Sequence, residues 1–137
     1  MIDRDVLIEK INSIQNCLKR IHDTVKKDVG RVIDLDVQDI IVLNLQRAVQ
    51  LTIDIASYIV SLEHLGTPKS LKDLFAILEQ NKHIDHATSG KMQKMVGFRN
   101  IAVHDYQAID PDILKSILTS HLKDFEQFYE KILKKYP

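Results

Sequence analysis

The chain is predicted to be all-α, an up-and-down bundle of four to five helices forming a single domain over residues 1–137. Three observations carry that expectation. Apolar residues recur at helical spacing almost throughout. Four glycines and three prolines among 137 residues leave little of the chain for loops. Short β-branched runs fall inside helical periodicity, so no strand pattern competes.

Each element has its own signature. Leu7, Ile11, Ile14, Leu18, Ile21 and Val25 are spaced 4, 3, 4, 3, 4, which is one apolar stripe on a first helix. "KKDVGRVIDLD" interrupts it, and Asp34 or Asp36 can cap a second helix over about 37–64. That helix is apolar nearly all round, with Ile40, Ile41, Leu43, Leu45, Val49 and Ile53 among its residues, and so reads as central and buried. "GTP" at 66–68 stops it, and Pro68 can open a short third helix, "KSLKDLFAILEQ". "NKHIDHATSG" reads as a polar loop leading into a fourth helix that carries "KMQKMVGFRNIAV". Asp110 and Pro111 read as the cap and first-turn proline of a fifth helix, which buries Leu114, Ile117, Leu118, Leu122, Phe125 and Tyr129.

Composition narrows the function. Nineteen Lys plus Arg balance nineteen Asp plus Glu, so bulk charge does not draw this chain to nucleic acid. Any RNA or nucleotide site must come from a local cluster or from a surface assembled by several subunits. Cys17 is the only cysteine, which excludes an intrachain disulfide and suits a reducing cytoplasm. "MIDRDVLIEK" is charged from its start and unlike a signal peptide, and no stretch approaches the ~18 apolar residues of a membrane span. A cytoplasmic protein without a membrane partner is expected.

The chemistry concentrates in "GFRNIAVHDY", residues 97–106. Arg99 and His104 are five residues apart, about 140° around a helix axis, so on one helix they do not share a face. The apolar period breaks at "HDYQAIDP", which places the end of the fourth helix near His104. A histidine at a helix end can swing back towards Arg99 and hold a proton for a leaving group, while Arg99 neutralises a phosphate. No Asp/Glu/His cage for a required metal is evident, and no cofactor is expected. His83 and His86 have no nearby cysteine, and two ligands do not make a metal site.

"RNIAVHDY" resembles the R-x4-H-x-Y signature of HepT-like proteins, a branch of the HEPN (higher eukaryotes and prokaryotes nucleotide-binding) superfamily. "VLNLQRAVQLTIDIA" and "HLKDFEQFYE" are similar to the same family. The resemblance implies a HEPN-like fold and the toxin of a type VII-like toxin–antitoxin pair. It implies a homodimer whose two R-x4-H motifs meet across the interface as a metal-independent endoribonuclease, with transfer RNA as the expected substrate. It further implies a minimal nucleotidyltransferase antitoxin that silences the toxin by transferring AMP to the motif tyrosine, Tyr106. Arg99 and His104 are then catalytic, with Asn100, Arg47 and Asp54 as supporting positions.

Blander readings stand beside these. Arg99 and His104 on spacing alone suit a structural ion-pair or capping cluster, and Tyr106 suits an interface aromatic. Asn44, Arg47, Leu51, Asp54 and Tyr58 share one stripe of the second helix. They suit an internal polar network, or else Arg47 adds a phosphate contact and Asp54 orients a motif side chain. The alternative function is a non-catalytic nucleotide- or substrate-binding subunit of a nucleotidyltransferase; an inert dimerisation scaffold is weaker still.

Overall fold

In the computed structural model, which describes residues 1–137, helix ends follow the capping residues closely. Helix α1 (Arg4–Val25) begins where the Asp3 carboxylate accepts the Asp5 N–H at 2.9 Å, and buries the whole Leu7–Val25 stripe. A 3-10 turn (Val29–Ile33) leads to α2 (Leu35–Leu62), capped by Asp34 through the N–H groups of Asp36 and Val37. Helix α3 (Leu71–Gln80) is capped by Ser70, which accepts the Asp73 N–H at 3.1 Å. Pro68 therefore lies before the cap instead of opening the helix, because the serine hydroxyl supplies what the first turn lacks. The polar loop before the fourth helix is shorter than its composition suggests: Asp85 caps α4 (His86–His104) through the Thr88 N–H at 2.9 Å.

After a second 3-10 turn (Tyr106–Ala108), Asp110 and Pro111 open α5 (Pro111–Ser120) as their spacing indicates. The expected long fifth helix is two helices. The backbone leaves helical geometry at His121 (φ −124°, ψ −1°) and resumes as α6 (Lys123–Lys135). Asp124 holds the break: its carboxylate is 2.9 Å from the His121 ring and 3.8 Å from the Lys91 ammonium. That carboxylate is buried, and the Lys91 ammonium and the His121 ring supply the partners burial requires. The all-α class thus stands, with six helices.

Helix α2 runs through the middle, packed on α1 along its length and on α3 and α4. Helix α6 closes on α4, and α5 lies over the Val29–Ile33 turn. Phe75 of α3 meets Phe128 of α6 edge-on, with centroids 5.6 Å apart. The central helix is not covered on every side, however. Ile40 and Leu43 remain 42% and 43% exposed, as do Ile101 and Val103 near the end of α4. No helix is long and apolar enough to cross a membrane.

Candidate active site

Helix α4 does not end between Arg99 and His104; it runs through both and stops at His104. The five-residue offset is therefore preserved, about 140° around the axis and roughly 7.5 Å along it. Arg99 turns towards α2, half-buried. One guanidinium nitrogen, Nη2, donates to Gln50 Oε1 at 2.9 Å, and Nη1 donates to Asn100 Oδ1 at 3.1 Å. Gln50 in turn donates from Nε2 to Asp54 Oδ1 at 2.9 Å. Arg99 Nε is buried with no acceptor in the chain. His104, the last residue of α4, is exposed and forms no hydrogen bond through its ring. Within one chain, then, Arg99 and His104 form no hydrogen bond with each other.

Tyr106 follows in the short 3-10 turn, 40% exposed. Its hydroxyl donates to Oδ1 of Asp39, in the second turn of α2. Partial burial, the hydrogen bond to Asp39 and that carboxylate's charge push the phenol up to about 12. Both ends of the motif thus lean on α2: Arg99 on Gln50, Tyr106 on Asp39.

The supporting positions separate. Asn100 and Asp54 belong to the Arg99 network, Asp54 through Gln50. Arg47 is exposed and outside that network. The stripe from Asn44 to Tyr58 does not form one internal network. Asn44 donates to the Ile40 carbonyl of its own helix at 2.9 Å, and the Tyr58 hydroxyl accepts the Asp3 N–H at 3.0 Å. Helical phase brings these residues to one stripe, but their nearest polar partners lie along α2 or across on the start of α1. Sequence reasoning missed Gln50 and Asp39. Both sit at ordinary polar positions, and only the packing of α4 and its following turn on α2 marks them.

His83 and His86, the latter the first residue of α4, have structural partners. His83, buried, is 2.8 Å from the Tyr136 hydroxyl and 3.1 Å from the Asn81 carbonyl, and desolvation lowers its proton affinity. His86 pairs with Glu79 at 3.0 Å. No group of three or more His, Cys, Asp and Glu side chains is placed to hold a metal ion.

The family model described as "Ribonuclease HepT-like" matches residues 9–132, and the chain belongs to that family. It is 44% identical over 128 residues to the mRNA nuclease HepT of Shewanella oneidensis, covering 93% of this chain and 96% of that one. Among solved structures it is similar to a toxin–antitoxin complex with AMP-PNP (TM-score 0.90, 43% identity, 95% and 98% of the two chains). It is equally similar to a tri-AMPylated Shewanella oneidensis HEPN toxin in complex with MNT antitoxin (TM-score 0.89, 43% identity, 95% and 98%). The Bacillus subtilis cytosolic protein YutE shares the fold at 16% identity (TM-score 0.83, 98% and 90%).

Proposed function

We propose that this protein is the toxin half of a toxin–antitoxin pair, an endoribonuclease that cleaves RNA without a metal. In this reading two copies face each other across a two-fold axis and present their Arg99 and His104 side chains to one cleft. The observation that carries it is that Arg99 is bound to Gln50 of α2 while His104 stands without a partner at the end of α4, next to exposed Ile40 and Leu43 of α2 and Val103 of α4. A two-fold partner covers those apolar side chains and adds the second histidine.

The chemistry follows from the groups. One His104 takes the proton of the RNA 2′-OH as its oxygen attacks the adjacent phosphorus. The P–O5′ bond breaks, and the other His104 returns a proton to the leaving 5′ oxygen, giving a 2′,3′-cyclic phosphate and a 5′-OH. Acid–base help of this kind is worth roughly 10²–10⁴ in rate. Arg99 stabilises the added charge on the phosphorane. Gln50 and Asn100 hold its guanidinium by neutral amide oxygens, so its charge stays available to the phosphate.

Control falls to a minimal nucleotidyltransferase antitoxin, which transfers AMP to Tyr106. The complexes of the similar toxins with their antitoxins, one of them AMPylated, support this reading. Transfer RNA is the substrate that the family resemblance implies, whereas the Shewanella oneidensis relative is named for mRNA. Parallel digestion of both RNAs decides between them. The defining test is cleavage in EDTA by the wild type, Arg99→Ala and His104→Ala. The wild type is expected to release cyclic phosphate in chelator and both variants to be inactive but helical. Loss of wild-type cleavage in chelator, restored by magnesium, refutes the metal-free mechanism. A folded, fully active His104→Ala variant refutes the assigned site and returns the protein to a nucleotide-binding role.

A further inference from the structure

We infer that Asp39 is the catalytic base for modification of Tyr106: its carboxylate orients the phenol and takes the phenolic proton as the oxygen attacks the α-phosphorus of ATP. The inference rests on the reading of Tyr106 as the site of AMP transfer.

The Tyr106 hydroxyl has one partner in the chain, Asp39 Oδ1, contributed by a different element, α2. The contact joins residues 67 positions apart, so the fold builds it; no local turn supplies it. Both residues are exposed at the surface, where a second protein bearing ATP reaches them. The 3-10 turn that carries Tyr106 is tied to the end of α4 by the Ala108 N–H, which donates to the Asp105 carbonyl at 2.9 Å. The phenol is therefore held at a defined place and aimed at an acceptor.

The chemistry needs that acceptor. A neutral phenol is a weak nucleophile, and partial burial together with the neighbouring carboxylate makes a free phenolate rarer still, with the hydroxyl pushed up to about 12. Attack through a pre-formed phenolate is thereby disfavoured, whereas transfer of the proton to the carboxylate during attack is favoured by the same contact. In the balanced step the Tyr106 O–H bond breaks and its proton passes to Asp39. The Tyr106 oxygen bonds to the α-phosphorus of ATP, and the bond from that phosphorus to the β-phosphate oxygen breaks. Pyrophosphate leaves, and Asp39 releases its proton to water. This role concerns the first AMP joined to the protein.

The test is the initial rate of AMP transfer, read by intact mass and site mapping, with the cognate antitoxin, ATP and magnesium. Wild type, Asp39→Asn, Asp39→Glu and Tyr106→Phe are compared. Asparagine keeps an oxygen that accepts the hydrogen bond but does not take the proton. Asp39→Asn is expected to slow transfer to Tyr106 by roughly 10²–10⁴ with an unchanged KM for ATP. Its remaining rate should climb with pH as phenolate forms, whereas the wild-type rate stays flat across neutral pH. Asp39→Glu should recover part of the rate. Helical circular dichroism and a thermal melt of Asp39→Asn equal to those of the wild type certify its fold. Wild-type modification rate and pH profile in a folded Asp39→Asn overturn the inference and place the base on the antitoxin. A wild-type protein left unmodified at Tyr106 overturns the modification reading, and the role of Asp39 with it.

Discussion

Arg99 is held by two amides and by no carboxylate, and that choice has consequences that can be measured. An amide oxygen fixes the guanidinium fork without discharging it, whereas a carboxylate at the same place would compete with the phosphate. Gln50→Glu is therefore expected to lower kcat/KM for RNA cleavage by roughly ten- to a hundredfold, the scale of one hydrogen bond to a charged group. Gln50→Met removes the brace and keeps the charge, so it should cost less. Steady-state cleavage of a short RNA checks both; equal activity of Gln50→Glu and wild type would remove Gln50 from the site. The Tyr106–Asp39 pair allows a second check at this scale. The folded-state value of the phenol is raised from 10.0 to about 12, so it stays protonated beyond the range of a free tyrosine. Stability from this contact is complete below about pH 10 and is lost as pH rises through about 12. Asp39→Asn removes the carboxylate charge and should move one phenol back towards 10. The comparison is alkaline absorbance titration of the variant against Tyr106→Phe, and identical late-titrating phenols in wild type and Asp39→Asn would show that the contact is absent in solution.

The helices were legible because caps and stripes are local. Asp3, Asp34, Asp85 and Asp110 each accept a backbone N–H of the first turn, and three of the four helices they open carry further acidic residues there. What stayed hidden depends on contacts between elements. The α5–α6 break keeps the apolar period intact, from Leu114 through Leu118 and Leu122 to Phe125. It is fixed by the meeting of His121, Asp124 and Lys91, which no single stretch displays. In the same way Arg99, His104 and Tyr106 stood out as a motif, whereas Gln50 and Asp39 became visible only with α2 packed beside them. Asp85 tests the local half of this account. Hydrogen bonds from the Thr88 side chain and N–H lower its carboxyl from 3.8 to about 2. The cap's contribution is then complete above about pH 4 and is lost as pH falls through about 2. Asp85→Ala should cost roughly 1 kcal/mol at neutral pH, and the gap to wild type should close near pH 2. Urea unfolding followed by circular dichroism at the two pH values measures it; an equal gap at both would assign the loss to packing instead of the cap.

On the proposed mechanism, a chain with balanced charge and one histidine in its motif lacks either the acid or the base. The incompleteness coincides with an unfinished surface. Helix α2 is apolar nearly all round, yet α1, α3 and α4 leave Ile40 and Leu43 open, and the end of α4 adds Val103. Arg99 and His104 lie on the helix that borders this surface, and in the proposed dimer a two-fold partner docked there brings a second motif to the first. In such an isologous contact each substitution is made twice, once on each side of the axis. Leu43→Asp would place two carboxylates in the interface core, where unpaired charge is strongly disfavoured. Its side chain is 43% exposed in the single chain, so the substitution costs the isolated fold little. The wild type is expected to scatter light as a dimer at micromolar concentration, and Leu43→Asp as a monomer with the same helical circular dichroism. RNA cleavage by the variant should fall at least about a hundredfold, because each remaining site has lost the acid–base help of one histidine. Retained cleavage by a proven Leu43→Asp monomer would show that a single chain supplies both the acid and the base, and would rule out the composite site.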